Sequence, residues 1–331
     1  MKILLFEELQ KLLKISGIGR AFRQQTLALE MNGIKVLHRP DGPFDLVHFN
    51  TAFLESQYFL RKAKARGIPV VVHAHSTRED FLNSYNFAPL VQKGFYRMLD
   101  AMYSRADLII TPTEYSRSLL KSYGNITCPI HVLTNGVDLK EYQRDEQKEQ
   151  AFRDYFGLSP EQKVVMGVGL LFERKGLQDF IEVARMLPDV TFIWFGKLSR
   201  AFQTGAIRKA IRNKPDNVLM PGYLAGDIIK GAFTSSDCLL FPSYEETEGI
   251  VVLEAMASRL PVIVRDIPVY AGYTSGRELL KGRSNEEFAA AVRHMLKQDT
   301  AHLTEAAWQS VSTKDLSIMG SRLKEIYSEL L

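Results

Sequence analysis

Short runs rich in Val, Ile, Leu and Phe alternate with amphipathic stretches along this chain, and the alternation restarts once near the middle. In the first half KILLF, KVLHR, DLVHFN, IPVVVHAHS, DLIITPT and IHVLTNG read as strands, with helical patterns such as GRAFRQQTLALEMNG and EYSRSLLKSYG between them. In the second half KVVMGVG, TFIWFG, VLMPG, DCLLFPS and PVIVRD take the same part. Strands separated by helices imply βαβ units, parallel sheets and right-handed crossovers that cover both sheet faces. The expectation is an α/β protein of two Rossmann-like domains facing each other across a cleft. The polar run DLKEYQRDEQKEQ, residues 138–150, predicts the linker between them. The domains are expected over residues 1–140 and 141–312, with residues 313–331 as a terminal helix that crosses back onto the first domain.

At 331 residues and 46% hydrophobic, the chain exceeds one ordinary core and suits two. No run approaches bilayer-spanning length. MKILLFEELQKLLK carries acids inside its apolar stretch and reads as a first strand, not a signal peptide. The two cysteines, Cys128 and Cys238, sit beside or within apolar strands and read as free thiols of a reducing cytoplasm. No Cys/His cluster has zinc-ligand spacing. Net charge is +4, unevenly placed: residues 1–140 hold 18 Lys and Arg against 12 Asp and Glu, and residues 141–331 hold 24 against 26. The first half is therefore +6 and the second −2, which turns the first toward an anionic partner. No helix-turn-helix, RNP or zinc-finger pattern speaks for nucleic acid.

The chemistry concentrates in FPSYEETEGIVVLEAMASRLPVIVRD, residues 241–266. Gly249 stands where the strand DCLLFPS gives way to a helix, so free backbone N–H groups at Gly249 and Ile250 would face an anion. Glu246 precedes this helix start, and Glu254 lies inside an otherwise apolar helix. Glu245 and Glu248 fit a plain capping role. In GVGLLFERKG, Arg174 and Lys175 precede a helix start, where cations are unfavourable unless an anion is near. SGIGR places Gly17 and Gly19 after the first strand, where glycine lets the backbone approach a phosphate or sugar. VVHAHS ends a strand with His73 and His75, one of which reaches the cleft.

Taken in order, SGIGR, VVHAHS, TPTEYSRSLL, TNGVD, GVGLLFERKG and the Glu246-x7-Glu254 stretch resemble the retaining glycosyltransferases of family 4, which have the GT-B fold. That resemblance implies that Glu254 bonds the ribose hydroxyls, that Glu246 contacts the transferred sugar, and that Arg174 and Lys175 neutralise the diphosphate. The family usually has arginine directly after the glycine. Leu170 stands there, so Arg174 is assigned the role by its proximity to Lys175. His73 aligns best with the family's sugar-contacting histidine, with His75 as the alternative. Gly17 and Gly19 would flank the diphosphate and acceptor, and Arg78 would contact a phosphate.

The wording SGIGR…HAHSTREDFLNS…LLFERKG is similar to bacterial diacylglycerol glycolipid synthases. The implied reaction moves a hexose from UDP-glucose or UDP-galactose to monoglucosyldiacylglycerol, with retention, at the inner face of the cell membrane. No metal or other cofactor is implied, because no Asp-x-Asp motif is present and protein cations take that role. Phe87, Leu90, Val91, Phe95, Met98 and Met102, interleaved with Lys93, Arg97 and Arg105, could meet an anionic bilayer, as could Arg61, Lys62, Lys64 and Arg66. The ordinary reading of such a helix is a buried apolar face and solvated charges. Two other readings are a transferase of capsule assembly with a soluble or polyprenyl acceptor, and a non-catalytic sugar-nucleotide-binding partner.

Overall fold

A computed structural model describes residues 1–82 and 88–331, with no account of the side chains of residues 82 and 88–90. The chain forms two compact units. One is built from Met1–Leu82, Pro89–Gly136 and Lys314–Leu331, the other from Val137–Thr313.

The first unit holds β1 (Lys2–Phe6), α1 (Gln10–Leu13), α2 (Gly17–Met31), β2 (Lys35–Leu37), β3 (Leu46–Phe49), α3 (Leu54–Ala65), β4 (Val70–His73), α4 (Arg78–Leu82), α5 (Ala88–Tyr103), β5 (Leu108–Thr111), α6 (Glu114–Ser122) and β6 (Ile130–Val132). Its strands pair in the order β2-β1-β3-β4-β5-β6, all parallel. Burial on both faces explains why the strands read as unbroken apolar runs. One face, with Ile3, Leu5, Val71 and Ile110, packs under α2. The other, with Leu4, Val47, Val70 and Val72, packs under α3 and α5.

The second unit holds α7 (Glu146–Phe156), β7 (Val164–Val168), α8 (Leu177–Arg185), β8 (Thr191–Phe195), α9 (Gly205–Arg212), β9 (Val218–Gly222), α10 (Asp227–Ser235), β10 (Cys238–Phe241), α11 (Ile250–Ala257), β11 (Val262–Arg265), β12 (Leu280–Gly282), α12 (Asn285–Lys297) and α13 (Ala301–Ser312). Its sheet order is β12-β11-β10-β7-β8-β9, again parallel. Phe180, Phe192 and Trp194 fill its core edge to face, with ring centroids 5.1 and 5.2 Å apart. Each such side chain contributes about 2–3 kcal/mol by leaving water.

The two-sheet α/β expectation holds. The final helix, α14 (Leu316–Ser328), lies in the first unit, packed on α2, as the sequence predicts. Gly320 permits this contact: a Cβ there would stand 1.9 Å from the Ala28 carbonyl oxygen. Asn32 Nδ2 donates to the Ser317 carbonyl at 3.0 Å and ties the two helices together. The charged run at 138–150 is a linker only in part. From Glu146 onward it is α7, capped by Asp145, whose carboxylate accepts from the N–H groups of Gln147 and Lys148. Only Phe152 of α7 is fully buried, so a mostly solvated helix looked like a polar connection. Both cysteines are free thiols.

Candidate active site

In the second unit, β7 and β10 are neighbours, so the loops leaving their C-terminal ends meet. Open parallel sheets bind ligands at such ends. The loop after β7 carries Arg174 and Lys175 in a 3-10 turn closed by Gly176. The loop after β10 carries Ser243 and Glu246. Tyr244 N–H donates to the Arg174 carbonyl at 2.7 Å, and Ser243 Oγ lies 3.0 Å from the same oxygen. Arg174 Nη1 donates in return to the Glu245 carbonyl at 2.9 Å.

Glu246 is the focus of these loops. Lys175 Nζ donates to its Oε1 in a short ion pair. Ser243 Oγ donates to the same oxygen at 2.6 Å, and Arg174 Nη1 lies 3.8 Å away. Glu246 is 7% exposed. Burial alone would raise its carboxyl. The charges of Lys175 and Arg174, with the bonds from Lys175 and Ser243, outweigh it and hold the group below the ordinary range. Gly249 caps α11 with φ +81°, and Tyr270 Oη lies 2.5 Å from where its Cβ would be. Ile250 opens the helix, and Glu254 is buried in its middle at 5% exposure. Arg174, Lys175 and Glu246 therefore meet in the loops after β7 and β10, and Glu254 lies in the helix that follows them.

In the first unit, His73 ends β4 and His75 follows it, both buried, with rings stacked 4.1 Å apart. Gln25 Nε2 meets His73 Nδ1 at 2.9 Å, and His75 Nε2 meets Asn50 Oδ1 at 2.7 Å. Gly17 opens α2 in open space. Gly19 spends its missing Cβ on the chain itself, since a Cβ would meet the Leu13 carbonyl oxygen at 2.3 Å. Ser16 caps this helix by accepting from Gly19 N–H at 3.3 Å. Arg78 Nη2 donates to Asp100 Oδ1 at 2.6 Å, and its guanidinium lies 4.1 Å over the Tyr123 ring.

The basic and apolar helices divide as amphipathic helices ordinarily do. Leu99 and Met102 are buried and Phe95 stacks on Phe81 at 4.0 Å, while Val91, Lys93, Arg97, Arg105, Arg61, Lys62, Lys64 and Arg66 are exposed. Phe87 and the Leu90 side chain lie outside the described residues. Sequence reasoning missed Ser243, Gln25, Asn50, His48 and Tyr270. Ser243 was findable, lying three residues before Glu246 at a strand end. The others work through distant pairings.

Residues 148–309 match the family profile "Glycosyl transferases group 1", and residues 12–141 match "Glycosyltransferase Family 4". A processive diacylglycerol alpha-glucosyltransferase of Acholeplasma laidlawii is 48% identical over 332 residues, covering 100% of this chain and 99% of the relative. The chain is a family 4 glycosyltransferase. Among other relatives of this glycosyltransferase, an alpha-galactosylglucosyldiacylglycerol synthase of Streptococcus pneumoniae is 29% identical, over 72% of this chain and 66% of the relative. Among solved structures, Anabaena HepE in complex with UDP and glucose superposes with TM-score 0.78 at 19% identity, over 99% of each chain. Sucrose-phosphate synthase from Thermosynechococcus elongatus gives TM-score 0.84 at 16% identity, over 100% of this chain and 99% of that one. At such identities the transferase shares a fold with these structures. Among its described residues no helix is long and apolar enough to cross a membrane.

Proposed function

We propose that this glycosyltransferase moves glucose, with retention and without a metal, from UDP-glucose to the sugar of monoglucosyldiacylglycerol at an anionic membrane surface. The observation that carries the donor half is the Arg174–Lys175–Glu246 cluster beside the start of α11. Charge builds on the leaving diphosphate as the bond to the sugar breaks, and fixed cations in a partly dry site stabilise it. Arg174 and Lys175 take that role and Glu246 holds them in place. When the donor binds, Glu246 turns an oxygen to the sugar and Glu254 bonds the ribose. The acceptor hydroxyl attacks from the face the diphosphate leaves. The bond from the anomeric carbon to phosphate breaks, the bond to the acceptor oxygen forms, and the hydroxyl proton passes to a phosphate oxygen. His73 hydrogen-bonds the transferred sugar.

The acceptor half rests on the full-length Acholeplasma relative, whose name specifies diacylglycerol and glucose. An exposed patch on the first unit supports a membrane partner. Leu9, Leu12, Leu54 and Tyr58 are 49, 67, 79 and 51% exposed. They are drawn together because Glu8 Oε2 accepts from Ser56 N–H at 3.0 Å and from Ser56 Oγ at 3.1 Å. Lys11, Lys14, Arg61 and Lys62 flank them, and Lys62 Nζ lies 4.4 Å over the Tyr58 ring. Exposed apolar side chains beside cations suit an anionic lipid surface.

The deciding assay offers UDP-glucose and UDP-galactose, with and without EDTA, to diacylglycerol and monoglucosyldiacylglycerol in anionic vesicles. An alpha-linked diglucosyl lipid formed in EDTA, its linkage read by NMR, is the expected product. Transfer only to soluble or polyprenyl acceptors would support the capsule-type reading. No transfer from any donor would favour a binding partner.

A further inference from the structure

The polar groups that the donor cluster leaves unused gather on one face of the first sheet. The register pairs Leu5 with His48 and His48 with Val71, so these three share a face, and alternation along β4 adds His73 to it. That face lies under α2 and α14. His48, His73 and His75 form a file of nearly parallel rings. His48 and His73 are 5.5 Å apart at 13°, and His73 and His75 are 4.1 Å apart at 9°. All three are buried. Each is held by a different partner: Tyr327 Oη lies 2.6 Å from His48 Nδ1, Gln25 Nε2 lies 2.9 Å from His73 Nδ1, and Asn50 Oδ1 lies 2.7 Å from His75 Nε2.

The partner of the middle ring bears on which nitrogen carries its hydrogen. A carboxamide nitrogen carries two hydrogens and accepts nothing. With the Gln25 amide turned so that Nε2 faces His73 Nδ1, the amide donates and Nδ1 is bare, which puts the neutral ring's hydrogen on Nε2. His73 Nε2 is buried and has no partner among the described residues. A buried donor without a partner is costly, and in native proteins it marks a place that something else fills. A second hydrogen on His73 is disfavoured by burial and by the imidazoles on both sides, so the choice of nitrogen is the remaining variable.

We propose that Gln25 is a positioning residue that locks His73 in its Nε2–H form, so that the ring offers a hydrogen-bond donor, not an acceptor, to a hydroxyl oxygen of the transferred sugar. This rests on the transferase reading above for the identity of the hydroxyl. The tautomer itself does not. Gln25 sits on the third turn of α2, a helix anchored by the buried Ala21, Phe22, Ala28 and Leu29, so its amide reaches the ring from a rigid element. His48 and Asn50 complete the frame: one stacks on His73, and the other pins the ring stacked on its opposite side.

The test is two-bond ¹H–¹⁵N spectroscopy of full-length protein labelled at histidine, with His73→Gln used for assignment. The wild-type His73 signal is expected to show a protonated Nε2 and a bare Nδ1 at pH 7.5. Gln25→Glu replaces the donor by an acceptor and is expected to move the hydrogen to Nδ1. Gln25→Met keeps length without either and is expected to give a mixture. In transfer assays Gln25→Glu should lose roughly tenfold or more in kcat and Gln25→Met less, in proportion to its remaining Nε2–H fraction, with KM for the UDP-sugar changed less than about threefold in both. A wild-type ring protonated at Nδ1, or a Gln25→Glu protein whose His73 signal is unchanged, would overturn the proposal. So would a fall in KM-controlled binding with kcat intact. If Gln25→Glu does not fold, the wild-type spectrum and Gln25→Met still decide. Absence of transfer by wild-type protein would sink the transferase reading while the spectra still judge the tautomer.

Discussion

The hydroxyl of Tyr327, on the last helix, lies 2.6 Å from Nδ1 of His48 on the third strand, 279 residues earlier in the chain. Both side chains are fully buried. Tyr327→Phe strips His48 Nδ1 of its partner without leaving a large cavity. It is expected to cost about 1–3 kcal/mol. Tyr327→Ala adds a cavity and is expected to cost about 3–5 kcal/mol. Urea denaturation followed by circular dichroism checks both. Equal stability of wild type and Tyr327→Phe would mean that the bond contributes nothing.

Gly249 and Tyr270 form a second coupled pair. A Cβ at Gly249 meets the Tyr270 hydroxyl oxygen at 2.5 Å, and the backbone there has φ +81°. Gly249→Ala is therefore expected to destabilise by about 1–3 kcal/mol and to lower UDP affinity by displacing the start of α11. Tyr270→Phe removes the clashing oxygen. The double variant should recover part of the loss, the rest being backbone strain. A thermal-shift and calorimetric double-mutant cycle measures the coupling, and strictly additive effects would refute it.

Lys175→Met leaves Glu246 buried with the Arg174 charge and the Ser243 hydroxyl beside it. Transfer is expected to fall about 100-fold or more, because a cation facing the diphosphate is lost. The pH response should change as well. In the wild type Glu246 is held below its ordinary range, so its contribution to stability is present above pH 4.5 and is lost as pH falls through the lowered value. Without Lys175 that loss begins at higher pH. Acid titration of the folded fraction reads the shift, and superimposable acid curves would count against the ion pair.

The histidine file gives the first unit a distinct acid response. Burial lowers His48 and His75 to about 3, and His73 is also pushed well down. The unfolded chain binds these protons near pH 6.5 while the folded chain refuses them. Their contribution to stability is thus whole above pH 6.5 and falls progressively as pH drops toward 3. Glu7 runs in the other direction. Burial, partly offset by Arg23, raises it to about 7, so stability is lost as pH rises from 4.5 toward 7. Glu7→Gln should raise Tm by a few degrees at pH 8 and leave it little changed at pH 4.5. Differential scanning calorimetry across pH 4.5–8 tests both slopes.

Leu12→Asp and Leu54→Asp put a charge into the exposed apolar patch of the first unit. Each is expected to weaken sedimentation with anionic vesicles by about threefold or more, since each removes a side chain able to enter the lipid boundary. UDP-glucose affinity by calorimetry should be unaffected. Undiminished vesicle binding by the double variant would show that the membrane is met elsewhere.

The parts legible in the sequence were those written locally. DCLLFPS, Gly249 and IVVLEAMAS announced a strand, a turn and a helix, and the structure builds β10, the +81° turn and α11 from them. Glu246, Arg174 and Lys175 were likewise readable, because each stands at a strand end. Leu9 was not. It adopts φ 60° at the head of a four-residue helix, which no local preference of leucine suggests. Gln25 looked like any polar residue on an amphipathic helix, and its meaning appears only when β4 brings His73 alongside, 48 residues on. Gly19 belonged to a legible glycine motif, but the sequence did not show that its missing side chain makes room for the Leu13 carbonyl.

The first unit takes its last helix from beyond the second. During synthesis its sheet emerges early, yet the segment that covers β1 and β3 and supplies Tyr327 leaves the ribosome only after all of Val137–Thr313 has been made. The leading domain must therefore wait, with an apolar flank and a buried imidazole still uncovered, for a piece of chain separated from it by more than half of the polypeptide.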